Sequence, residues 1–233
     1  MTSEGECRLI LFDVDGTLIQ SGGAGHRSLE RAFLALFGVV GGMEDVSPQG
    51  RTDVSIVREM FQRRLARGPT VEELDAFFRL YLEVLEEEVP RSPGYRVMPG
   101  VVPLLERLSG RPDVILGLGT GNIERGARLK LARADLNRFF SFGGFGDEGV
   151  DRPEIIRRGI RRGWALLDGA PRRARPYVVG DTGRDVGAGR AAGAVTVGVA
   201  TGAESAEELA RSRPDHLLAD LADWESFSRA IGL

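Results

Sequence analysis

Short, almost uninterrupted apolar runs that end in aspartate, threonine or glycine constrain this chain more than any other feature. They lie at Arg8–Asp13 (RLILFD), Val114–Thr120 (VILGLGT), Tyr177–Asp181 (YVVGD) and Val195–Val199 (VTVGV). Weaker runs lie at Phe140–Phe145 and His216–Leu218. None shows the in-out alternation of a strand with one wet face, so these strands are expected to be covered on both sides. Helical patterns separate most of them, at Val101–Leu108, Glu124–Ala134, Pro153–Leu167 and Asp185–Ala192. Strand, helix, strand in repetition defines an α/β class built on a parallel sheet between two helical layers.

Residues 24 to 90 break that alternation, with helical patterns and no clear strand. Leu29, Phe33, Leu36 and Phe37 recur at helical spacing, Asp53 reads as the N-cap of a helix to Leu65, and Thr70-Val-Glu-Glu73 reads as a capping box opening a helix to about Val89. Gly- and Pro-rich stretches bound this segment: Ser21-Gly-Gly-Ala-Gly25 on entry, Pro90-Arg-Ser-Pro-Gly94 and Pro99-Gly100 on exit. The expected organisation is a core of residues 1–20 and 97–233 with a small all-helical insert over 21–96, joined by two connections in the manner of a hinged lid.

Composition narrows the chemistry. At 233 residues with 42% hydrophobic and 28% charged, the chain can bury a large core unaided. A net charge of −3 without a basic stripe argues against nucleic acid as a partner. No run reaches the roughly 18 apolar residues of a spanning helix, and Met1–Arg8 does not read as a signal peptide, so a cytoplasmic protein that does not engage membranes is expected. A single cysteine, Cys7, excludes an internal disulfide and thiolate-pair zinc sites. Thirty arginines stand against one lysine, Lys130.

Carboxylates carry the functional signal. Ligands of open parallel sheets bind beyond the carboxyl ends of the strands, which is where Asp13, Asp15, Thr120 and Asp181 fall, with Asp185 one helical turn later. Two carboxylates 4 Å apart repel by about 4 kcal/mol at an effective dielectric of about 20. A site gathering three or four requires a cation, and hard oxygen donors without His or Cys select Mg²⁺.

Three segments carry a resemblance. Asp13-Val-Asp-Gly-Thr-Leu18 resembles the first motif of the haloacid dehalogenase-like hydrolase superfamily, Thr120-Gly-Asn122 its second, and Gly180-Asp-Thr-Gly-Arg-Asp185 its fourth. The helical insert resembles the cap of the phosphoglycolate phosphatase-like branch. The resemblance implies a Rossmann-like core and hydrolysis of a small phosphomonoester, phosphoglycolate-like or a sugar phosphate. In that reading Asp13 attacks phosphorus to form an aspartyl-phosphate. Asp15 protonates the leaving oxygen and then activates water. Thr120, Gly121 and Asn122 hold phosphoryl oxygens. Asp13, the Asp15 carbonyl, Asp181 and, through water, Asp185 hold the metal. A monomer or homodimer is expected.

The third motif departs from the pattern, which places a lysine before a helix. Asp151-Arg-Pro-Glu154 stands there, so Arg152 is the candidate cation beside the nucleophile. Lys130, in the middle of a helix, reads as a surface or packing residue. In the loop Pro48-Gln-Gly-Arg-Thr-Asp53, Arg51 is a candidate for binding a substrate carboxylate or second phosphate. Asp15 argues against dehalogenation, where a departing halide needs no proton, and an insert without lysine argues against a Schiff-base phosphonatase. A sugar-phosphate mutase remains an alternative because His26 lies shortly after the first motif, although Gly23-Ala-Gly-His26 does not match the mutase pattern. A non-catalytic regulator binding a phosphometabolite is the alternative of another class.

Overall fold

The computed structural model describes residues 7–148, 151–167 and 174–233. The signal-peptide reading and the first residues of the expected core therefore lie outside the described residues. Among them the strands are β1 (Cys7–Phe12), β2 (Ile19–Ser21), β3 (Tyr95–Val97), β4 (Val114–Gly119), β5 (Gly143–Gly144), β6 (Ala174–Gly180), β7 (Val195–Val199) and β8 (His216–Leu218). The helices are α1 (Ala24–Phe37), α2 (Asp53–Leu65), α3 (Val71–Arg91), α4 (Val101–Ser109), α5 (Glu124–Ala132), α6 (Arg152–Ala165), α7 (Gly183–Ala191), α8 (Ala206–Arg211) and α9 (Trp224–Ala230).

Six strands form one sheet in the order β5-β4-β1-β6-β7-β8, every pairing parallel. The order follows from burial. β1 is the most apolar run, and Leu9, Ile10, Leu11 and Phe12 are all fully buried, which only a central strand covered on both faces allows. Ile10 and Phe12 face a cluster with α4, α5 and α9, whereas Leu9 and Leu11 face Ile156 and Ile160 of α6. Sheet and flanking helices make the three-layer, Rossmann-like arrangement that the alternation implies.

The Phe140–Phe145 run yields only two strand residues. Its aromatics Phe140, Phe142 and Phe145 are buried, and a 3₁₀ turn over Gly146–Glu148 follows the two strand residues almost at once. A Cβ on Gly144 would fall 1.9 Å from the Ile155 carbonyl oxygen, so glycine is what lets α6 lie against this edge.

Helices α1, α2 and α3 enclose a second apolar cluster. Phe33 meets Phe61 edge-on at 5.5 Å and Phe77 at 6.3 Å, with Leu29, Met60, Leu85 and Val89 around them. Ile123, at the start of α5, is the sheet-side residue that joins this cluster. The Thr70–Glu73 capping box is present, whereas α2 is capped by Thr52, whose hydroxyl accepts from the Ser55 N–H at 3.1 Å. Asp53 is thus the first residue inside the helix, and its carboxylate is released for another contact. The two connections to the helical unit are not separate tethers. β2 and β3 pair antiparallel, and the Ser92 hydroxyl donates to the Ser21 carbonyl at 2.8 Å, so entry and exit form one ribbon. No helix among the described residues is long and apolar enough to cross a membrane.

Candidate active site

Parallel pairing brings the carboxyl ends of β1, β4 and β6 to the same edge. Asp13 leaves β1 with its N–H donating to the Val179 carbonyl of β6 at 2.9 Å. The chain then turns through Gly16, whose φ of +89° lies in the left-handed region, and a Cβ there would sit 2.3 Å from Asp181 Oδ2. Only glycine lets the turn close over that carboxylate. The next residue, Thr17, donates its hydroxyl to Asp181 Oδ1 at 3.0 Å.

Asp13, Asp181 and Asp185 are all buried, and each offers an oxygen within 4.8 Å of the others. Burial, reinforced by Asp185 and Asp15, pushes Asp13 up to about 7, against the lowering effect of Arg152 and of the Thr120 hydroxyl. Burial with Asp185 and Asp13 nearby pushes Asp181 up to about 8. Such a group resists full ionisation until further positive charge arrives. Only hard oxygen donors are present, and they suit a divalent cation of the magnesium kind. Asp185 also does a structural job: its Oδ2 accepts from the Thr182 N–H at 3.1 Å and hydroxyl at 2.6 Å, closing the first turn of α7.

Arg152 opens α6 behind its N-cap Asp151 and is itself buried. Its Nη2 lies 3.0 Å from Asp13 Oδ1 and also pairs with Asp185 Oδ1. Burial works against its charge, but Asp185 and Asp13 outweigh that and hold the guanidinium firmly protonated. Its Nε has no hydrogen-bond partner.

Lys130 corrects the surface-or-packing expectation. It is 5% exposed, and its Nζ donates to Asp15 Oδ2 and to Asn122 Oδ1, both at 2.6 Å. Asn122 Nδ2 donates in turn to Asp15 Oδ2 at 2.9 Å and to Thr120 Oγ1 at 2.8 Å, and the Ser21 hydroxyl donates to Asp15 Oδ1 at 3.1 Å. Burial tends to raise Asp15, yet Lys130 above all, with Asn122 and Ser21, holds it below the usual carboxylate value. A signal was available in the sequence. Lys130 lies on the stripe that buries Gly126, Ala127 and Leu131, in a chain that puts arginine at every other long basic position.

The 48–53 loop closes the site from the helical unit. A Cβ on Gly121 would lie 2.2 Å from the Arg51 carbonyl oxygen, and the Asp53 N–H donates to the Gly121 carbonyl at 2.9 Å. The Arg51 side chain borders the cavity, but its guanidinium is held by Glu59 and donates to the Ser55 carbonyl at 2.9 Å. Asp53, unnoticed as a site residue in the sequence, is buried. Its Oδ2 accepts from the Ile123 N–H at 2.9 Å, and burial pushes it up to about 6 although Lys130 pulls it down. The cavity so enclosed measures about 340 Å³ and is lined on one side by Asp13, Thr120 and Asp181, on the other by His26, Asp53 and Tyr81.

Similarity to known proteins accords with this arrangement. A family model described as HAD-hyrolase-like matches residues 152–224. Phosphoglycolate phosphatase of Photorhabdus laumondii is 29% identical over 231 residues, covering 97% of this chain and 93% of that protein. Phosphoglycolate phosphatase of Synechococcus elongatus is 27% identical, covering 92% and 93%. The crystal structure of a hydrolase from Pseudomonas syringae superposes with a TM-score of 0.70 at 20% identity, over 97% of this chain and 99% of that one. The chain is thus similar to haloacid dehalogenase-like hydrolases over residues 152–224 and to phosphoglycolate phosphatases over more than nine-tenths of its length. Its chemistry is that of a phosphoric monoester hydrolase.

Proposed function

We propose that the chain hydrolyses a small phosphomonoester with Mg²⁺, through an aspartyl-phosphate on Asp13. The observation that carries this reading is the pairing of two cations with two aspartates two residues apart: Arg152 on Asp13 and Lys130 on Asp15. In the first half-reaction Asp13 attacks phosphorus, the ester P–O bond breaks, and the departing alkoxide takes a proton from Asp15. The resting Asp15 is a carboxylate held by Lys130, so its proton is brought in by the substrate, whose second phosphate ionisation lies near pH 6. In the second half-reaction water attacks phosphorus, gives its proton to Asp15, and the Asp13–phosphorus bond breaks. Thr120 and the Gly121 N–H hold phosphoryl oxygens, and Arg152 offsets their charge.

Asp13, the Asp15 carbonyl, Asp181 and, through water, Asp185 would hold the metal. When bound, Mg²⁺ supplies the positive charge that lets an anionic phosphate approach an anionic aspartate. The helical insert acts as a cap over the core, and its ribbon of β2 and β3 is where the two units would pivot. Stripping the protein with EDTA should abolish hydrolysis of p-nitrophenyl phosphate, and Mg²⁺ should restore it. Full activity without divalent metal would end this reading.

A further inference from the structure

The half of the cavity that receives the leaving group has a charge pattern of its own. Its cations are already committed: Lys130 to Asp15 and Asn122, Arg51 to Glu59 and the Ser55 carbonyl. Its polar remainder is not. An ammonium has three N–H donors, and Lys130 spends two of them. Asp53 spends one carboxylate oxygen, on the Ile123 N–H. Tyr81 is 1% exposed, borders the cavity, and its hydroxyl makes no hydrogen bond to any described residue. That hydroxyl opens onto the cavity, where a ligand can supply its partner.

A free N–H donor, a free carboxylate oxygen and a free hydroxyl in one wall form a mixed donor and acceptor set. A polyol both gives and receives hydrogen bonds and satisfies all three. A second carboxylate on the substrate can only accept, would meet Asp53 and Asp15 as like charges, and finds Lys130 and Arg51 already paired with carboxylates. The His26 imidazole, which also borders the cavity, serves a hydroxyl as well as an anion.

Resting on the phosphatase reading above, we propose that this pocket selects phosphate esters of neutral polyhydroxy compounds, polyols or sugars, over phosphate esters carrying a carboxylate. Tyr81, Asp53 and Lys130 are the residues that read the hydroxyls. The preference would separate this chain from the substrate in its relatives' names.

The test uses matched pairs differing only in CH₂OH against COO⁻: glycerol 3-phosphate with 3-phosphoglycerate, and sorbitol 6-phosphate with 6-phosphogluconate. p-Nitrophenyl phosphate serves in parallel as a probe of phosphatase chemistry alone. With Mg²⁺, kcat/KM for the polyol member should exceed that for its acid by at least about tenfold in one pair or both, since a site built for a hydroxyl strongly rejects a partner that leaves its groups unpaired. Asp53→Asn and Tyr81→Phe should each shrink that ratio toward about threefold, read within one preparation so that a loss common to both substrates cancels. In the unmodified enzyme, where folding is not in question, glycerol should inhibit p-nitrophenyl phosphate hydrolysis at lower concentration than glycolate. Turnover of p-nitrophenyl phosphate without preference for either polyol ester would overturn the inference and leave the phosphatase reading standing. No turnover of any ester would remove both.

Discussion

The two halves of the cavity are built on different principles. On the sheet side Asp13, Thr120 and Asp181 stand at the ends of three neighbouring parallel strands, and their positions are dictated by strand order. On the helical side Asp53, Tyr81 and Lys130 come from α2, α3 and α5, and only the packing of the insert onto the start of α5 brings them together. The sheet side is crowded with charge that needs a cation. The helical side has its cations paired with carboxylates and leaves an N–H donor, a carboxylate oxygen and a hydroxyl unspent. On the proposed reading, the phosphoryl chemistry is a property of the fold, and the choice of leaving group a property of what the insert presents to it.

The largest expected effect lies on the sheet side. Asp13→Asn replaces the proposed nucleophile by an amide and should lower kcat at least about 10³-fold, with no phosphoenzyme trapped by acid quench. Residual activity near the unmodified level would move the nucleophile elsewhere. Asp15→Asn comes next, at about 10²–10⁴-fold. It should spare phosphoenzyme formation from p-nitrophenyl phosphate, whose leaving group needs little protonation, more than from an alkyl phosphate. Equal losses on both esters would count against a proton-transfer role.

How much of this was legible follows the same division. Asp13, Asp15, Thr120, Asp181 and Asp185 could be read because a strand's carboxyl end is visible in the sequence and the topology does the rest. Arg152 could be read because it opens a helix at the expected step of the alternation, and it lies 3.0 Å from Asp13. Lys130 was misread because a basic residue inside a short helix is usually solvated, and nothing local says that Asp15, 115 positions away, lies across from it. The sequence reading puts the cap of α2 one residue too late, on Asp53 rather than Thr52, which hides the Asp53 carboxylate's contact with Ile123. The ribbon of β2 and β3 escaped notice because three-residue strands separated by more than seventy residues carry no periodicity.

Between the two cations, Arg152 should matter more for turnover. Arg152→Ala removes a charge-assisted contact worth roughly 1.5–3 kcal/mol, or about tenfold to a hundredfold in kcat. Arg152→Lys should recover part of this, because the charge stays while the contact to both Asp13 and Asp185 is weakened. Unchanged kcat in the alanine variant would mean that its pairing with Asp13 serves structure alone.

The smallest effect is one of stability, and it tests whether the sheet-side carboxylates are waiting for a cation. Asp13 and Asp181 are pushed up to about 7 and about 8 from an ordinary value of 3.8. Between the two values the folded chain binds more protons than the unfolded one, so without metal its stability falls as pH rises from about 4 to about 8. Carboxylates lowered on folding, such as Asp15 and Asp113, have the opposite sign, but they act below about pH 5 and leave the upper window to the raised groups, with Asp53 at about 6 adding to the same slope below Asp13 and Asp181. Mg²⁺ binds the ionised form and must expel protons to do so. Its stabilisation should therefore grow with pH, reaching about 5–10 °C in Tm at pH 8.5 with Mg²⁺ at about a hundred times its Kd, and shrinking at pH 6. Asp181→Asn should flatten the metal-free slope and remove most of the Mg²⁺ shift together. Thermal melts at pH 6, 7 and 8.5, with EDTA and with Mg²⁺, read both quantities. A metal-free Tm that holds level or rises across that window, or a Mg²⁺ shift that does not change with pH, would mean that the carboxylates are already balanced by Arg152 and need no further charge.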